Sequence, residues 1–394
     1  MIVEISKSLM QKPIHLFRPY FRIDECLQEI RNCLEIGWTG MGYKTIELEE
    51  SWRIYTEHNF AHFVNSSTSG LVLALETLKE AHLWPDGAEI ITTGITFVST
   101  NQSILLAGLI PSFADTDKTL NLCPESVEKC INSNTVAVMF VGIGGNPDNY
   151  NEIRELCVSH NLVLILDAAH MAGTKVDGQT VGLDTDVSIY SFQAVKNLPT
   201  ADSGMVCFKD EQLDTIARKR SWVGIDSDTF TRTQSSRAYK WYYEVEYCSG
   251  KYHGNSVMAS LGLVALRYLD DDNRVRRYLA SLYDKHLEGI AQITTISHGQ
   301  RVSGSTVSSR HLYQIMVAPE VRDILIAYLN EADIYPGVHY RSNLEYKIFK
   351  KYADLNDFKN TTLQSSSLIS LPLSVGLSEV DIERVSSRIA SFFK

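Results

Sequence analysis

The sequence predicts an α/β protein with a large domain on a mostly parallel seven-stranded sheet flanked by helices, followed by a smaller C-terminal α+β domain. Two observations carry this reading. Between about residues 60 and 210, short β-branched apolar runs alternate with segments whose apolar residues recur every three or four positions, the pattern of repeated β-α units. After about residue 250 the alternation gives way to a long helical pattern and then to a mixture of short strands and helices.

In chain order, strands are expected at Ala61–Val64, Glu89–Thr93, Ile110–Phe113, Thr135–Val141, Leu162–Leu166, Val187–Phe192 and Gly204–Phe208. Each is short, apolar and rich in valine, isoleucine or aromatic residues, as buried strands are. Helices are expected between them at Ser69–Glu80, Asn101–Ala107 and Tyr150–His160, where the apolar residues fall at helical spacing. Ligands of such sheets bind at the carboxyl ends of the strands. The later helical stretch, Val257–Ile290, is interrupted near Asp270–Asp272, and the Gly- and Ser-rich Gly299–Ser309 is expected to be a surface loop. The expected division is 1–250 for the large domain, including the N-terminal segment, and 251–394 for the small one.

Composition narrows the function classes. Of 394 residues 44% are hydrophobic and 21% charged, the profile of a folded globular protein with material for a sizeable core. The apolar runs are far shorter than a membrane span needs, and Glu4, Lys7 and Lys12 interrupt the segment Met1–Phe17 where a secretory signal needs a continuous apolar stretch. A cytoplasmic protein is expected. The seven cysteines are odd in number and include no C-x-x-C pair, which argues against a disulfide framework and against a zinc site. With 37 Lys and Arg against 47 Asp and Glu, the net charge of −10 argues against nucleic acid or an anionic membrane as partner.

Three segments could carry chemistry. Asn65-Ser66-Ser67-Thr68-Ser69-Gly70 follows a predicted strand and opens a helix, so its hydroxyls and free N–H groups form a cradle for phosphate. The same residues also read as a plain N-cap. Asp167 ends an apolar strand in Leu164-Ile165-Leu166-Asp167-Ala168-Ala169-His170, placed either to meet a cationic partner or to stabilise a turn. Lys196 lies just past the strand ending Ser191-Phe192. There it is either a solvated surface group or a poorly solvated amine with a lowered pKa, suited to Schiff-base chemistry.

Competing motifs are missing. Gly142-Ile143-Gly144-Gly145-Asn146-Pro147 has proline where the dinucleotide fingerprint needs its last glycine, and neither a phosphate-binding G-x-x-x-x-G-K nor a G-x-S-x-G elbow occurs. His160 and His170 fall on different elements, so no metal-ligand spacing is present and no metal is expected.

Taken together and in order, these segments resemble the pyridoxal-phosphate enzymes of the aspartate aminotransferase fold, and within them the sugar aminotransferases of the DegT/DnrJ/EryC1/StrS family. The similarity runs from Leu16-Phe17-Arg18-Pro19-Tyr20 and Gly37-Trp38-Thr39-Gly40, through Thr96-Phe97, Gly145-Asn146-Pro147, Asp167-Ala168-Ala169-His170 and Ser191-Phe192 with Lys196. It continues through Gly254-Asn255, His311-Leu312-Tyr313 and Val338-His339-Tyr340 to Leu371-Pro372-Leu373-Ser374. The resemblance implies pyridoxal 5'-phosphate as cofactor, with Lys196 bonding it and, once released by a substrate amine, moving a proton. It also implies that Asp167 pairs with the pyridine nitrogen. Thr68, Ser69 and Ser191 are then the phosphate ligands, Phe97 stacks on the ring, and His170 lies near the phenolic oxygen. Asn255 reaches the phosphate from a neighbouring subunit, so a homodimer with shared active sites is implied. His339 and Tyr340 fall on the substrate side.

The activity so implied is transfer of an amino group, from L-glutamate, to a keto group of a nucleotide-linked deoxysugar. Within the family the alternative is a nucleotide-sugar dehydratase, which typically carries histidine in place of Lys196; outside it, the alternative is a regulator that binds the cofactor without turnover. The chain departs from the family pattern at Ser67, at Gly142 and over Ala201-Asp202-Ser203-Gly204.

Overall fold

The seven short apolar runs do pair into one sheet. The structure, a computed structural model, describes residues 12–226, 243–302 and 304–394. The strands are β1 (His62–Val64), β2 (Glu89–Thr93), β3 (Ile110–Ala114), β4 (Thr135–Val141), β5 (Val163–Asp167), β6 (Val187–Ser191) and β7 (Gly204–Phe208). Their order across the sheet is β1-β7-β6-β5-β4-β2-β3. The pairs from β6 to β3 are parallel, and β7 runs antiparallel to both of its neighbours. The parallel strands therefore deliver their carboxyl ends, Asp167 and Ser191 among them, to one edge of the sheet.

Alternation along each strand divides the core into two layers. Val138 and Phe140 of β4, Leu164 and Leu166 of β5, and Tyr190 of β6 pack on one face with Trp52 and Phe63. Ala137, Met139, Ile165 and Ile189 point to the other face and meet Leu71, Leu75 and Leu78. Those leucines lie on a helix that follows β1. The helices of this first part are α1 (Ile23–Ile36), α2 (Tyr43–Thr56), α3 (Ser67–Ala81), α4 (Val98–Leu106), α5 (Pro124–Cys130), α6 (Tyr150–His160) and α7 (Glu211–Ser221).

Beyond residue 250 come α8 (Ser256–Arg267) and α9 (Leu269–Leu287), which break at Tyr268, two residues earlier than the aspartates suggest. They are followed by β8 (Tyr313–Met316), α10 (Pro319–Asn330), α11 (Lys359–Ser367), β9 (Leu368–Leu371) and α12 (Glu379–Phe392). Leu279 and Tyr283 of α9 share a separate apolar cluster with Ile315, Leu325, Ile369 and Val385. Ile14, paired with Ile334, is buried in that same cluster, so the N-terminal strap packs onto the C-terminal unit. Ala259 and Leu263 of α8 belong instead to the cluster of Leu48 and Trp52. On this packing we propose a division into two units that falls after α8 rather than at residue 250.

The segment expected to be a surface loop at Gly299–Ser309 is only partly one. Thr306 and Val307 pair with Val176 and Lys175, and Ser308 and Ser309 are buried. These hydroxyls tolerate burial because backbone carbonyls accept from them: Ser308 Oγ donates to Gly145 at 3.0 Å and Ser309 Oγ to His170 at 2.6 Å.

One close approach joins the sheet to α3. Gly204 lies between Val64 and Ser191 in the ladder, and a Cβ there would fall 2.6 Å from the Tyr190 carbonyl oxygen and 3.0 Å from the Ser67 nitrogen. Both neighbours are backbone and cannot swing aside. Gly204→Ala is therefore expected to destabilise the protein by about 1–3 kcal/mol, read as a lowered denaturation midpoint at unchanged slope.

Candidate functional site

The carboxyl ends of β2, β4, β5 and β6 and the first turn of α3 enclose a cavity of about 480 Å3. Its side toward α3 is a cradle of hydroxyls and backbone N–H groups. Ser66 caps the helix, its Oγ accepting from Ser69 N at 3.1 Å and lying 2.9 Å from Ser69 Oγ. Ser69 is thereby committed to the cap, and the residues of this turn that line the cavity are Ser66, Ser67 and Thr68. Ser191, buried at the end of β6, completes that side. The cap reading holds, and it does not compete with the cradle reading, because capping leaves the earlier N–H groups of the helix free to donate elsewhere.

Asp167 stands opposite. Thr100 Oγ1 donates to its Oδ2 at 2.7 Å and Ala169 N to its Oδ1 at 3.1 Å. Burial pushes its carboxyl up, and these two donors oppose the shift. Thr100 could be picked out only with the tertiary structure, since 67 residues separate it from Asp167.

Lys196 enters the same cavity from the connection between β6 and β7. That connection folds back on itself: Thr200 N and Oγ1 both donate to the Phe192 carbonyl, at 2.8 and 2.7 Å, and Phe192 N donates to Ser203 O at 2.9 Å. The lysine amine makes no hydrogen bond or ion pair among the described residues. Desolvation pushes its pKa down to about 8, with the Asp167 charge acting in the opposite sense. It is thus the poorly solvated amine and not the surface lysine.

A further wall of the cavity is built of aromatic rings. His170 and His311 lie with ring centroids 4.4 Å apart, Tyr340 Oη is 3.2 Å from His170 Nε2, and Phe17 stacks on His311 at 5.3 Å. Burial, then the nearby Lys196 charge, holds His339 down to about 4, and burial holds His170 and His311 below the ordinary histidine range. Burial likewise pushes the Tyr340 phenol up. Phe97, 55% exposed, stands at the mouth with its ring 6.1 Å from Tyr340.

Of the residues singled out from sequence, Thr68, Phe97, Asp167, His170, Ser191, Lys196, His339 and Tyr340 all line this cavity. Asn255 does not. It caps α8, with Oδ1 accepting from Met258 N at 3.0 Å, and its Nδ2 has no partner among the described residues. Phe17, Thr96, Gln193 and Asp202 line the cavity without having been assigned a role. Phe17 and Thr96 lay within matched segments, a signal that points to position but not to contact. Among the described residues no group of three His, Cys, Asp or Glu side chains is placed to hold a metal ion, and no helix is long and apolar enough to cross a membrane.

Because the folded pKa of Lys196 lies near 8 and its ordinary value is 10.5, the unfolded chain binds a proton that the folded chain lacks between those values. Stability contributed at this position therefore rises with pH across that window. Denaturation at a series of pH values should show the wild type gaining on Lys196→Met from pH about 8 upward; a difference that is flat with pH would contradict the buried amine.

Comparison with known proteins agrees with this geometry. The pattern of the DegT/DnrJ/EryC1/StrS aminotransferase family matches residues 22–390. Spore coat polysaccharide biosynthesis protein SpsC of Bacillus subtilis is 31% identical over 378 residues, which is 94% of this chain and 95% of SpsC. The crystal structure of the aminotransferase TlmJ from Streptoalloteichus hindustanus superposes with a TM-score of 0.86 at 28% identity, covering 96% of this chain and 98% of TlmJ. Helicobacter pylori PseC, an aminotransferase involved in the biosynthesis of pseudoaminic acid, shares the fold with a TM-score of 0.88 at 24% identity, covering 97% and 99%.

Proposed function

The chain belongs to the DegT/DnrJ/EryC1/StrS aminotransferase family, and from that premise we propose that it moves an amino group from L-glutamate to a keto group of a nucleotide-linked deoxysugar, with pyridoxal 5'-phosphate as cofactor. The observation that carries this reading is the poorly solvated amine of Lys196, without a partner among the described residues, facing the same cavity as the buried carboxyl of Asp167, with a hydroxyl and N–H cradle beside them.

The residues present fit that cofactor. Ser67 and Thr68 at the start of α3, with Ser191, would hold the phosphate through N–H and hydroxyl donors, and the helix dipole adds to the attraction. Asp167, its oxygens already oriented by Thr100 and Ala169, would accept from the protonated pyridine nitrogen. Phe97 would cover one face of the ring. When bound, the cofactor supplies a carbonyl carbon that bonds amines and a ring that accepts the electron pair left by a broken C–H bond.

The chain's own part in the chemistry is proton movement and desolvation. Lys196 Nζ, increasingly neutral above pH about 8, takes the Cα proton of the amino-acid donor and returns a proton to the carbon that bears the new amine in the second half-reaction. The donor leaves as a keto acid before the keto-sugar enters, which predicts ping-pong kinetics. A family member acting as dehydratase typically has histidine at this position, and the presence of Lys196 favours transamination.

The reading includes a homodimer in which Asn255 of the partner subunit reaches the phosphate end of each cavity, supported by an Asn255 amide nitrogen that finds no partner among the described residues. It also includes a cytoplasmic setting, where nucleotide-linked sugars and glutamate would be the small-molecule partners.

Three outcomes test the proposal. Purified protein with added pyridoxal phosphate should show a visible absorbance band that moves to shorter wavelength on excess L-glutamate; absence of any band removes the cofactor. Lys196→Ala should lose the band, remain folded by circular dichroism, and lose roughly 10²–10⁴-fold in amine transfer. Asn255→Ala should retain less cofactor on gel filtration, whereas a fully loaded monomer would contradict the shared site.

A further inference from the structure

The two adjoining histidines, His170 and His311, are not equivalent, because backbone groups dictate a different tautomer for each. Gly144 N donates to His170 Nδ1 at 3.2 Å, so the His170 proton sits on Nε2, which faces Tyr340 Oη. His311 is governed by a chain of amides that begins at a carbonyl. Asn273 Nδ2 donates to the Ala172 carbonyl at 2.9 Å, which leaves Asn273 Oδ1 to accept from Asn197 Nδ2 at 2.6 Å. The same Asn197 Nδ2 donates to the Ser309 carbonyl at 2.8 Å, so its Oδ1 is the atom that meets His311 Nδ1 at 2.8 Å. Both amide orientations are set by carbonyls that can only accept, and the proton of His311 must lie on Nδ1.

The rest of the ring is equally constrained. His311 is 1% exposed, with Phe17 stacked on it at 5.3 Å and the His170 ring 4.4 Å away, and its backbone N donates to Gly144 O at 2.9 Å. What it offers the cavity is the Nε2 edge, which has no hydrogen-bond partner among the described residues. That edge is a bare lone pair, set in the wall that carries Tyr340 and His339 and next in space to the lysine that Asn197 follows in sequence.

We propose that His311 is a specificity-determining residue of this site, held as the Nδ1–H tautomer by Asn197 and Asn273 so that Nε2 accepts a hydrogen bond from a hydroxyl of the bound sugar. The inference rests on the sugar aminotransferase reading above and adds to it a requirement on the substrate: a hydroxyl that can donate, close to the reacting carbon. Asn197 and Asn273 are positioning residues that act through the imidazole. A neutral acceptor suits such a role, since it discriminates a hydroxyl from a bare methylene without adding charge beside Lys196. The burial that lowers the basicity of His311 keeps that acceptor available near neutral pH.

The tautomer is measurable without a substrate. In protein isotopically labelled at its histidine nitrogens, a long-range proton–nitrogen spectrum should show the His311 ring protonated at Nδ1 and bare at Nε2, assigned as the signal that His311→Phe, which keeps an aromatic ring beside Phe17 and His170, removes. A His311 signal protonated at Nε2 overturns the proposal. Asn197→Leu, which deletes the acceptor but not the imidazole, should move the proton to Nε2. For the role in binding, calorimetry with the cofactor-loaded protein and UDP-N-acetylglucosamine as a hydroxyl-bearing probe should give roughly tenfold weaker binding for both variants. Equal affinity in wild type and His311→Phe overturns the assignment. A wild type that ignores the probe while showing the stated tautomer overturns the nucleotide-sugar reading, and with it the hydroxyl assigned to Nε2, so the two failures are distinguishable.

Discussion

The site depends on keeping one amine dry beside one carboxylate. An isolated ammonium or carboxylate is costly to bury, and each is tolerated here because the other lies in the same cavity and because Thr100 and Ala169 donate to Asp167. Burial still prevails at both groups, lowering the basicity of Lys196 and raising that of Asp167. The fold supplies the low-dielectric surroundings by stacking two apolar layers on the sheet whose carboxyl edge carries these residues. A wetter cavity would return the basicity of Lys196 toward its ordinary value and leave less of the amine neutral and able to take a proton.

The other walls follow from the same constraint. A cationic imidazole close to Lys196 would repel it, and all three histidines of the cavity are held neutral by burial. In the proposed reading, anion binding falls to hydroxyls, to the first N–H groups of α3 and to its dipole, which need no further charge. The turn Ile143–Gly145 ties the arrangement together, since Gly144 donates to one histidine ring through its N–H and accepts from the backbone of the other through its carbonyl. Its φ of +65° belongs to the left-handed region where glycine is unstrained.

Much of this was legible in the chain. β2, β4 and β7 match the expected runs residue for residue, and the other strands differ by a residue or two at their ends. Strands buried on both faces are continuous apolar runs, and such runs carry their own boundaries. The Ser-Thr turn, Asp167 and Lys196 were legible as candidates for a related reason, since each lies at or shortly after the end of a strand, and the family resemblance then singled them out. Ser69, expected as a phosphate ligand, also contacts the cap residue Ser66, a pairing of nearby hydroxyls that spacing alone does not reveal. The polar Ser308 and Ser309 read as surface because their acceptors, at Gly145 and His170, lie far away along the chain.

Local sequence, then, determined which segments are strands and which lysine, aspartate and hydroxyl-rich turn lie at strand ends, because periodicity and capping act over a few residues; the family resemblance chose their functional reading over the bland one. Tertiary structure alone decided that Lys196 is desolvated, that Thr100 holds Asp167, and that Asn273 and Asn197 set the proton on His311. Those are consequences of burial and of hydrogen bonds between residues 67 to 114 positions apart. Neither the dielectric around a group nor the direction of a distant donor is written in the residues beside it.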